Sequence, residues 1–208
     1  GVQDFDPIVQ AAINRIQSVE MTSELISAAR REKFLSINID LIYGLPEQTM
    51  ERFTRTIEDV LALRPDRIAL YGYAHVTWLR KAQKSFERRH LPTAAERFDL
   101  FSSALEAFRR SGYIHIGMDH FALPDDALAQ AAADGSLHRS FMGYSTHKAC
   151  RLIALGASGI STTPEMIAQN IRDSFEYVRE ARAGRIPIER GFARSEEDRQ
   201  RAELIDQL

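Results

Sequence analysis

Hydrophobic positions along this chain switch between a helical period near 3.6 and a strand period of 2, and the switches mark out its elements. Asp6 followed by Pro7 reads as an N-cap with proline in the first turn, and Ile8, Val9, Ala12 and Ile13 share one face of a helix running to about residue 20. A second helix follows from Ser23. Residues 34–43 alternate and then turn continuously apolar, a strand pattern closed by Gly44, Leu45 and Pro46. Helical spacing returns near Thr49, with Phe53, Ile57, Val60 and Leu61 inward, and residues 67–74 form a second strand that delivers His75 to a loop. Thr93 and Glu96 match a capping box, and Phe98, Phe101, Leu105 and Phe108 line one face of the next helix, which ends at Gly112. Residues 113–122 read as one strand with Asp119 and His120 at its exit. A small helix over 127–133, strands near 141–145 and 152–161, and a helix over 171–183 with Ile171, Phe175 and Val178 on one face complete the pattern.

Helix and strand alternate through the first half, which argues for an α/β fold of βα units around a parallel sheet. Ligands of such sheets and barrels sit at the carboxyl ends of the strands. Gln3, Asp40, His75, Asp119 and His120 fall just past those ends, so chemistry is expected there.

Composition narrows the partners more than the fold. The chain has 208 residues, 44% hydrophobic and 27% charged, within the ordinary globular range. A formal charge of −2 gives no basic field for a phosphate backbone, so nucleic acid is not an expected partner, and residues 81–89 read as a solvated charged face. No apolar stretch approaches the roughly 20 residues that span a bilayer and no signal sequence opens the chain, so no membrane is expected and the location is read as cytoplasmic. One cysteine, Cys150, excludes an internal disulfide and cannot alone hold a metal cluster, so no metal ligand is assigned. Both ends read as internal to a longer chain. Gly1 opens inside a strand-to-loop turn, and the helix started by Ser195, Glu196, Glu197 and Asp198 stops with Leu204, Ile205 and Leu208 still presenting apolar side chains.

Three stretches carry a resemblance: Gly1-Val2-Gln3-Asp4-Phe5, the run from Asn38 to Pro46 (Asn-Ile-Asp-Leu-Ile-Tyr-Gly-Leu-Pro), and Gly117-Met118-Asp119-His120-Phe121-Ala122 followed by Pro124-Asp125-Asp126. Together they resemble successive signatures of the oxygen-independent coproporphyrinogen III oxidases. The likeness continues through Leu137-His138-Arg139, Gly143-Tyr144 and Ala168-Gln169-Asn170, and so covers essentially the whole chain. The first two stretches are also similar to other radical S-adenosylmethionine (SAM) proteins, including haem chaperones; the stretch from Met118 to Ala122 discriminates better.

The resemblance implies part of a partial (β/α) radical SAM barrel with parallel strands, followed by α+β elements. It divides the chain into 1–112 (the later part of the barrel), 113–194 (the remaining sheet and helices of the catalytic domain) and 195–208 (the start of a helical domain). It also implies two cofactors: SAM, and a four-iron four-sulfur cluster held by a three-cysteine motif expected in an N-terminal segment outside these residues. The implied substrate is coproporphyrinogen III, two propionates of which become vinyl groups to give protoporphyrinogen IX, with an electron donor and an electron acceptor as further partners. The chain by itself is then expected to be inactive and, with an unpaired sheet edge, to associate.

Site residues follow from the matching positions. Gln3 is similar to a residue that hydrogen-bonds SAM, and its amide both donates and accepts. Arg15 resembles a SAM contact whose guanidinium pairs a carboxylate; by pattern alone it is a surface charge on a helix. Asp40 matches a SAM-binding aspartate, an acceptor suited to ribose hydroxyls or an ammonium. Residues 40–47 read as a variant of a glycine-rich radical SAM pattern in which Ile42 and Gly44 back the adenine, and Gly44 with Pro46 also makes the turn. Ala74 and Ile160 match adenine contacts, although without the resemblance both read as core. Asp119 and His120 are candidates for catalysis, as a general acid or propionate partner, and equally read as a structural pair. Phe141 resembles an aromatic near the active site. Met142 stands where some members have glutamine, and residues 145–151 depart from the family pattern. Two other readings stay open: a radical SAM paralogue such as a haem chaperone, and a non-catalytic α/β module that binds a small molecule or partner subunit.

Overall fold

The strand read over residues 34–43 starts later than its apolar pattern. In the computed structural model β1 is Asn38–Tyr43, while Phe34 and Leu35 lie exposed before it. Residues 1–140, 143–147 and 151–205 are described, in two units, Gly1–Gly135 and Ser136–Leu208.

The first unit is a sheet with helices on one side. β1 pairs in parallel with β2 (Arg67–Gly72), and Gln3 adds a parallel bridge on the other edge of β1, opposite Leu41. The expectation of parallel strands fails beyond this point. Residues 113–122 fold back as a hairpin, β3 (Ile114–Gly117) and β4 (His120–Ala122), and β4 runs antiparallel to β2. Gly117 (φ 147°) and Met118 (φ 47°) make that reversal, and a glycine meets such backbone angles without strain. The observed order is β1-β2-β4-β3, a mixed sheet in which only β1 and β2 are parallel.

Side chains alternate across a strand, so the sheet has two unlike faces. Ile39, Leu41, Ile68, Leu70 and Phe121 form the apolar face and pack against Ile26 of α2 (Val19–Arg31), Phe53, Ile57 and Val60 of α3 (Met50–Leu63), and Leu100, Ala104 and Phe108 of α4 (Ala94–Arg110). Each such side chain contributes about 1.5–3 kcal/mol on leaving water, which makes this face the main source of stability in the unit. The opposite face carries Asp40, Ile42, Ala69, Tyr71 and His120.

Helix boundaries follow their caps. Asp6 caps α1 (Pro7–Ala12), its carboxylate accepting from the Ile8 and Val9 N–H groups. That helix stops well short of residue 20, because Asn14 turns left-handed (φ 54°) and Ser18 starts α2 anew. The capping box of Thr93 and Glu96 is formed, but the inward stripe of α4 is Leu100, Ala104 and Phe108, flanked by Phe101 and Leu105, and Phe98 faces solvent. After the hairpin, α5 (Ala127–Asp134) is capped by the buried Asp126, which also accepts from the Arg67 guanidinium at 2.8 Å and from the Ser36 hydroxyl at 2.8 Å.

The second unit is antiparallel. A hairpin of β5 (His138–Ser140) and β6 (Gly143–Ser145) precedes a sheet of β7 (Ile160–Thr162), β8 (Met166–Asn170) and β9 (Ile188–Ala193), with α6 (Ser174–Arg182) between β8 and β9 and α7 (Glu196–Ile205) after them. Of the strand expected over 152–161, Ile160 and Ser161 belong to β7, Leu152 makes a single bridge to Thr162, and the residues between form a loop. Asn170 secures that loop, its amide donating to the carbonyls of Ala154 (3.2 Å) and Gly156 (2.9 Å). Phe141, Met142 and Cys150 lie outside the described residues.

Candidate functional site

The polar face of the first unit gathers residues that are far apart in sequence. Asp40 on β1 stands opposite Ala69 on β2, and Ala69 opposite His120 on β4, so a carboxylate and an imidazole flank an alanine in one line across the sheet. Ile42 and Tyr71 form the next line toward the carboxyl ends of the parallel strands. The Tyr71 ring meets His120 edge-on at 6.2 Å. Burial raises the Tyr71 phenol above its usual range, and the carboxylates of Asp40 and Asp119 push it the same way, so it stays a protonated donor at neutral pH. Burial lowers the His120 imidazole below its usual value, against the opposing pull of Asp119 and Asp40, so at neutral pH it is uncharged.

Asp119 is not at a strand exit, as the single-strand reading had it, but in the hairpin turn, where its carbonyl accepts from the Leu70 N–H at 2.7 Å. That bond docks the hairpin on β2, and with it His120.

Gln3, Arg15 and Asp40 converge at the outer edge of β1. The Gln3 N–H donates to the Asp40 carbonyl (2.8 Å) and the Ile42 N–H donates to the Gln3 carbonyl (2.9 Å), which fixes Gln3 in a left-handed conformation, φ 71°. Asp40 keeps 36% of its side chain exposed and accepts from the Asn38 amide at 2.7 Å. A Cβ at Gly1 would lie 2.6 Å from both Asp40 Oδ2 and Gln3 Nε2, so the bare glycine is what lets those two groups stand side by side. Arg15 is not on a helix. It lies in the loop between α1 and α2 and donates through Nη2 to the Gly1 carbonyl at 2.6 Å.

Ala74 follows β2, exposed, in a loop clasped by Gln83, whose amide donates to the Ala74 carbonyl (3.1 Å) and accepts from the Val76 N–H (2.7 Å). His75 in the same loop is engaged by the Tyr73 hydroxyl at 3.1 Å. Gly44 (φ 82°) lies buried with the Arg97 side chain filling the place of a Cβ. Ile160 opens β7 in the second unit, opposite Gln169.

Pattern reasoning missed the polar groups beneath this edge. Asp4 is wholly buried, and its carboxylate accepts from the Asp6 N–H (2.7 Å), the Thr56 hydroxyl (2.7 Å) and the Gln48 amide (2.6 Å). Burial raises its pKa against the lowering effect of those bonds. Gln48 and Gln10 are buried as well. No periodicity marks an isolated glutamine as internal; only three-dimensional proximity to Asp4 does.

The donor set at the β1 edge fits SAM, which offers an ammonium, a carboxylate and ribose hydroxyls. Asp40 supplies an acceptor, Arg15 a cationic donor and Gln3 both functions. No such set for an iron-sulfur cluster lies among the described residues. Among the described residues no group of three His, Cys, Asp or Glu side chains is placed to hold a metal ion, and a single cysteine cannot ligate four irons.

No protein-family model matches the chain. Over all 208 residues it is 44% identical to an oxygen-independent coproporphyrinogen III oxidase of Pseudomonas aeruginosa, covering 45% of that protein. Oxidases of the same name from Paracoccus denitrificans and Helicobacter pylori are 45% and 42% identical over the same span, each covered to 46%. Among solved structures, a coproporphyrinogen III oxidase (HemN) from Escherichia coli, described as a radical SAM enzyme, matches all of this chain and 48% of its own with a TM-score of 0.91 and 40% identity. The resemblance read from the sequence therefore holds along the full chain, which spans about half the length of these relatives.

Proposed function

We propose that this chain forms part of an oxygen-independent coproporphyrinogen III oxidase, a radical SAM enzyme that converts two propionates of coproporphyrinogen III to vinyl groups. The observation that carries the reading is the whole-chain likeness to enzymes of that name, at 40–45% identity in the four relatives above, joined to a donor set on β1 that suits SAM.

In this reading the sheet of the first unit belongs to a partial barrel in the intact protein, with its polar face turned to the cofactor and substrate. Asp40 accepts from ribose hydroxyls or the SAM ammonium, Arg15 pairs its carboxylate, and Gln3 bridges between them. Ala74 meets the adenine. When bound, SAM would supply the hydrogen-abstracting radical for a propionate side chain, its carbon–sulfur bond broken by one electron from the cluster with release of methionine. His120, neutral at pH 7, and Asp119 are candidates to meet substrate propionates or pyrrole N–H groups, with Phe141 as a further candidate. The cluster needs several thiolates, so its ligands come from other parts of the intact protein, and the reaction also needs an electron donor and an electron acceptor as partners. The proposal includes a cytoplasmic location, checked by fractionating cells that express the intact protein. Among the described residues no helix is long and apolar enough to cross a membrane.

The test is to reconstitute the intact protein anaerobically with iron and sulfide, then to follow SAM cleavage and decarboxylation of coproporphyrinogen III. Formation of protoporphyrinogen IX is the expected result. SAM cleavage or haem binding without decarboxylation would instead mark a paralogue, and neither activity would mark a non-catalytic module.

A further inference from the structure

Gln3, Arg15 and Asp40 sit on three separate pieces of backbone, and all three pieces are tied to one buried polar cluster. Gln48 supplies the first tie. Its Nε2 donates both to Asp4 Oδ2 (2.6 Å), next in sequence to Gln3, and to the Ile42 carbonyl (3.0 Å) on β1, two residues beyond Asp40. Its Oε1 accepts from the Gly44 N–H (2.5 Å) and the Leu45 N–H (3.3 Å), so one amide holds the Gln3 segment, the end of β1 and the turn after it.

Gln10 supplies the second tie. Its Nε2 donates to the Asp4 carbonyl (2.9 Å) and the Gln17 carbonyl (2.6 Å), and its Oε1 accepts from the Gln17 N–H (3.1 Å). The loop that carries Arg15 is thereby moored at Gln17 to the segment that carries Gln3. Thr56, on α3, closes the cluster by donating to Asp4 Oδ1 (2.7 Å) and accepting from the Phe5 N–H (3.2 Å).

We infer that Gln48 and Gln10 are positioning residues, acting through Asp4 to set the spacing of Gln3, Arg15 and Asp40 and hence the affinity for SAM. This inference rests on the proposed reading of those three residues as SAM contacts. The physical reason is that each contact side chain is itself exposed or half-buried, so its place is set by the backbone that carries it. Gln3 in particular is held in a backbone conformation that a non-glycine residue adopts only under constraint. A buried amide with every polar atom satisfied supplies that constraint, whereas an apolar replacement of equal length removes it and leaves the partner groups unpaired.

The experiment measures SAM binding by equilibrium dialysis on the intact, anaerobically reconstituted protein, comparing wild type with Gln48→Met, Gln10→Met and Val60→Ala. Val60 lies fully buried on α3, one turn beyond Thr56, and its side chain makes none of the cluster's hydrogen bonds, so Val60→Ala lowers stability without removing a bond of the network. The expected result is a dissociation constant for SAM raised tenfold or more by each glutamine substitution and within twofold of wild type for Val60→Ala, with melting temperatures recorded for all. If Gln48→Met does not fold, Gln10→Met alone decides. Wild-type affinity in the glutamine variants, or an equal loss in Val60→Ala at a matched melting temperature, overturns the inference while leaving the proposed function intact. A wild-type protein that does not bind SAM overturns the proposed function and this inference with it.

Discussion

His120 shows how one residue can be legible as chemistry and illegible as geometry. The sequence offered an Asp-His pair at a strand exit; the structure gives a turn aspartate and a strand histidine whose ring lies in line with Asp40. Because burial lowers the folded-state pKa of His120, the folded protein resists protonation where an unfolded histidine, with a pKa of about 6.5, accepts it. The stability this residue contributes is complete above that unfolded value and declines as pH falls through it toward the folded one. Chemical denaturation of wild type and His120→Gln at pH values between about 7.5 and 5 checks the sign: the wild type should lose more stability on acidification than the variant, and parallel curves would refute the shift. At Gly44 the constraint is steric. Its φ of 82° and the Arg97 side chain 2.9 Å from a would-be Cβ make Gly44→Ala destabilising by about 1–2 kcal/mol, readable as a lowered denaturation midpoint.

Elements were legible where local chemistry sets them and obscure where distant contacts do. Thr93 caps α4 as expected from sequence, and Thr49, near which a helix start is expected, caps α3, because an N-cap hydroxyl accepting a nearby N–H is a local event. The hairpin of β3 and β4 was invisible to periodicity, since residues 113–122 contain only a two-residue reversal, and in β9 the exposed Ile188 and Phe192 are separated by Glu189, Arg190 and Gly191, which breaks the apolar alternation of a strand. The stripe of α4 is the instructive error. Phe98 and Phe108 share helical spacing with Phe101 and Leu105, yet Phe98 is 70% exposed and Phe108 fully buried against Phe121 at 5.0 Å. Phe108→Ala should therefore cost about 3–5 kcal/mol, whereas Phe98→Ala should stay within about 0.5 kcal/mol, a contrast measured by urea unfolding of the two variants. Equal losses would mean that α4 is rotated from the orientation described.

For the molecule as a whole, the sequence offers candidate contacts but not their support: Gln3, Arg15 and Asp40 are expected from the family resemblance, whereas Asp4, though inside the Gly1–Phe5 stretch, is not marked out there as a support, and Gln10 and Gln48 carry no motif. What the sequence anticipated at this scale was association. The second unit places large apolar side chains in water, with Phe175 and Val178 on α6, Ile186 before β9, and Ile188 and Phe192 along it. Monomeric proteins rarely leave so many apolar groups uncovered, because every 100 Å² of such surface costs about 2.5 kcal/mol in water. The 208-residue chain on its own should accordingly self-associate at micromolar concentration, observed by sedimentation velocity. Phe175→Ser combined with Ile186→Ser should shift it toward monomer without lowering the stability of the first unit, because neither side chain belongs to that unit's core. With one cysteine it should also leave SAM uncleaved after iron and sulfide reconstitution. A monodisperse monomer would mean that these apolar side chains cover one another in solution, and the double substitution would then destabilise the second unit instead of dispersing it.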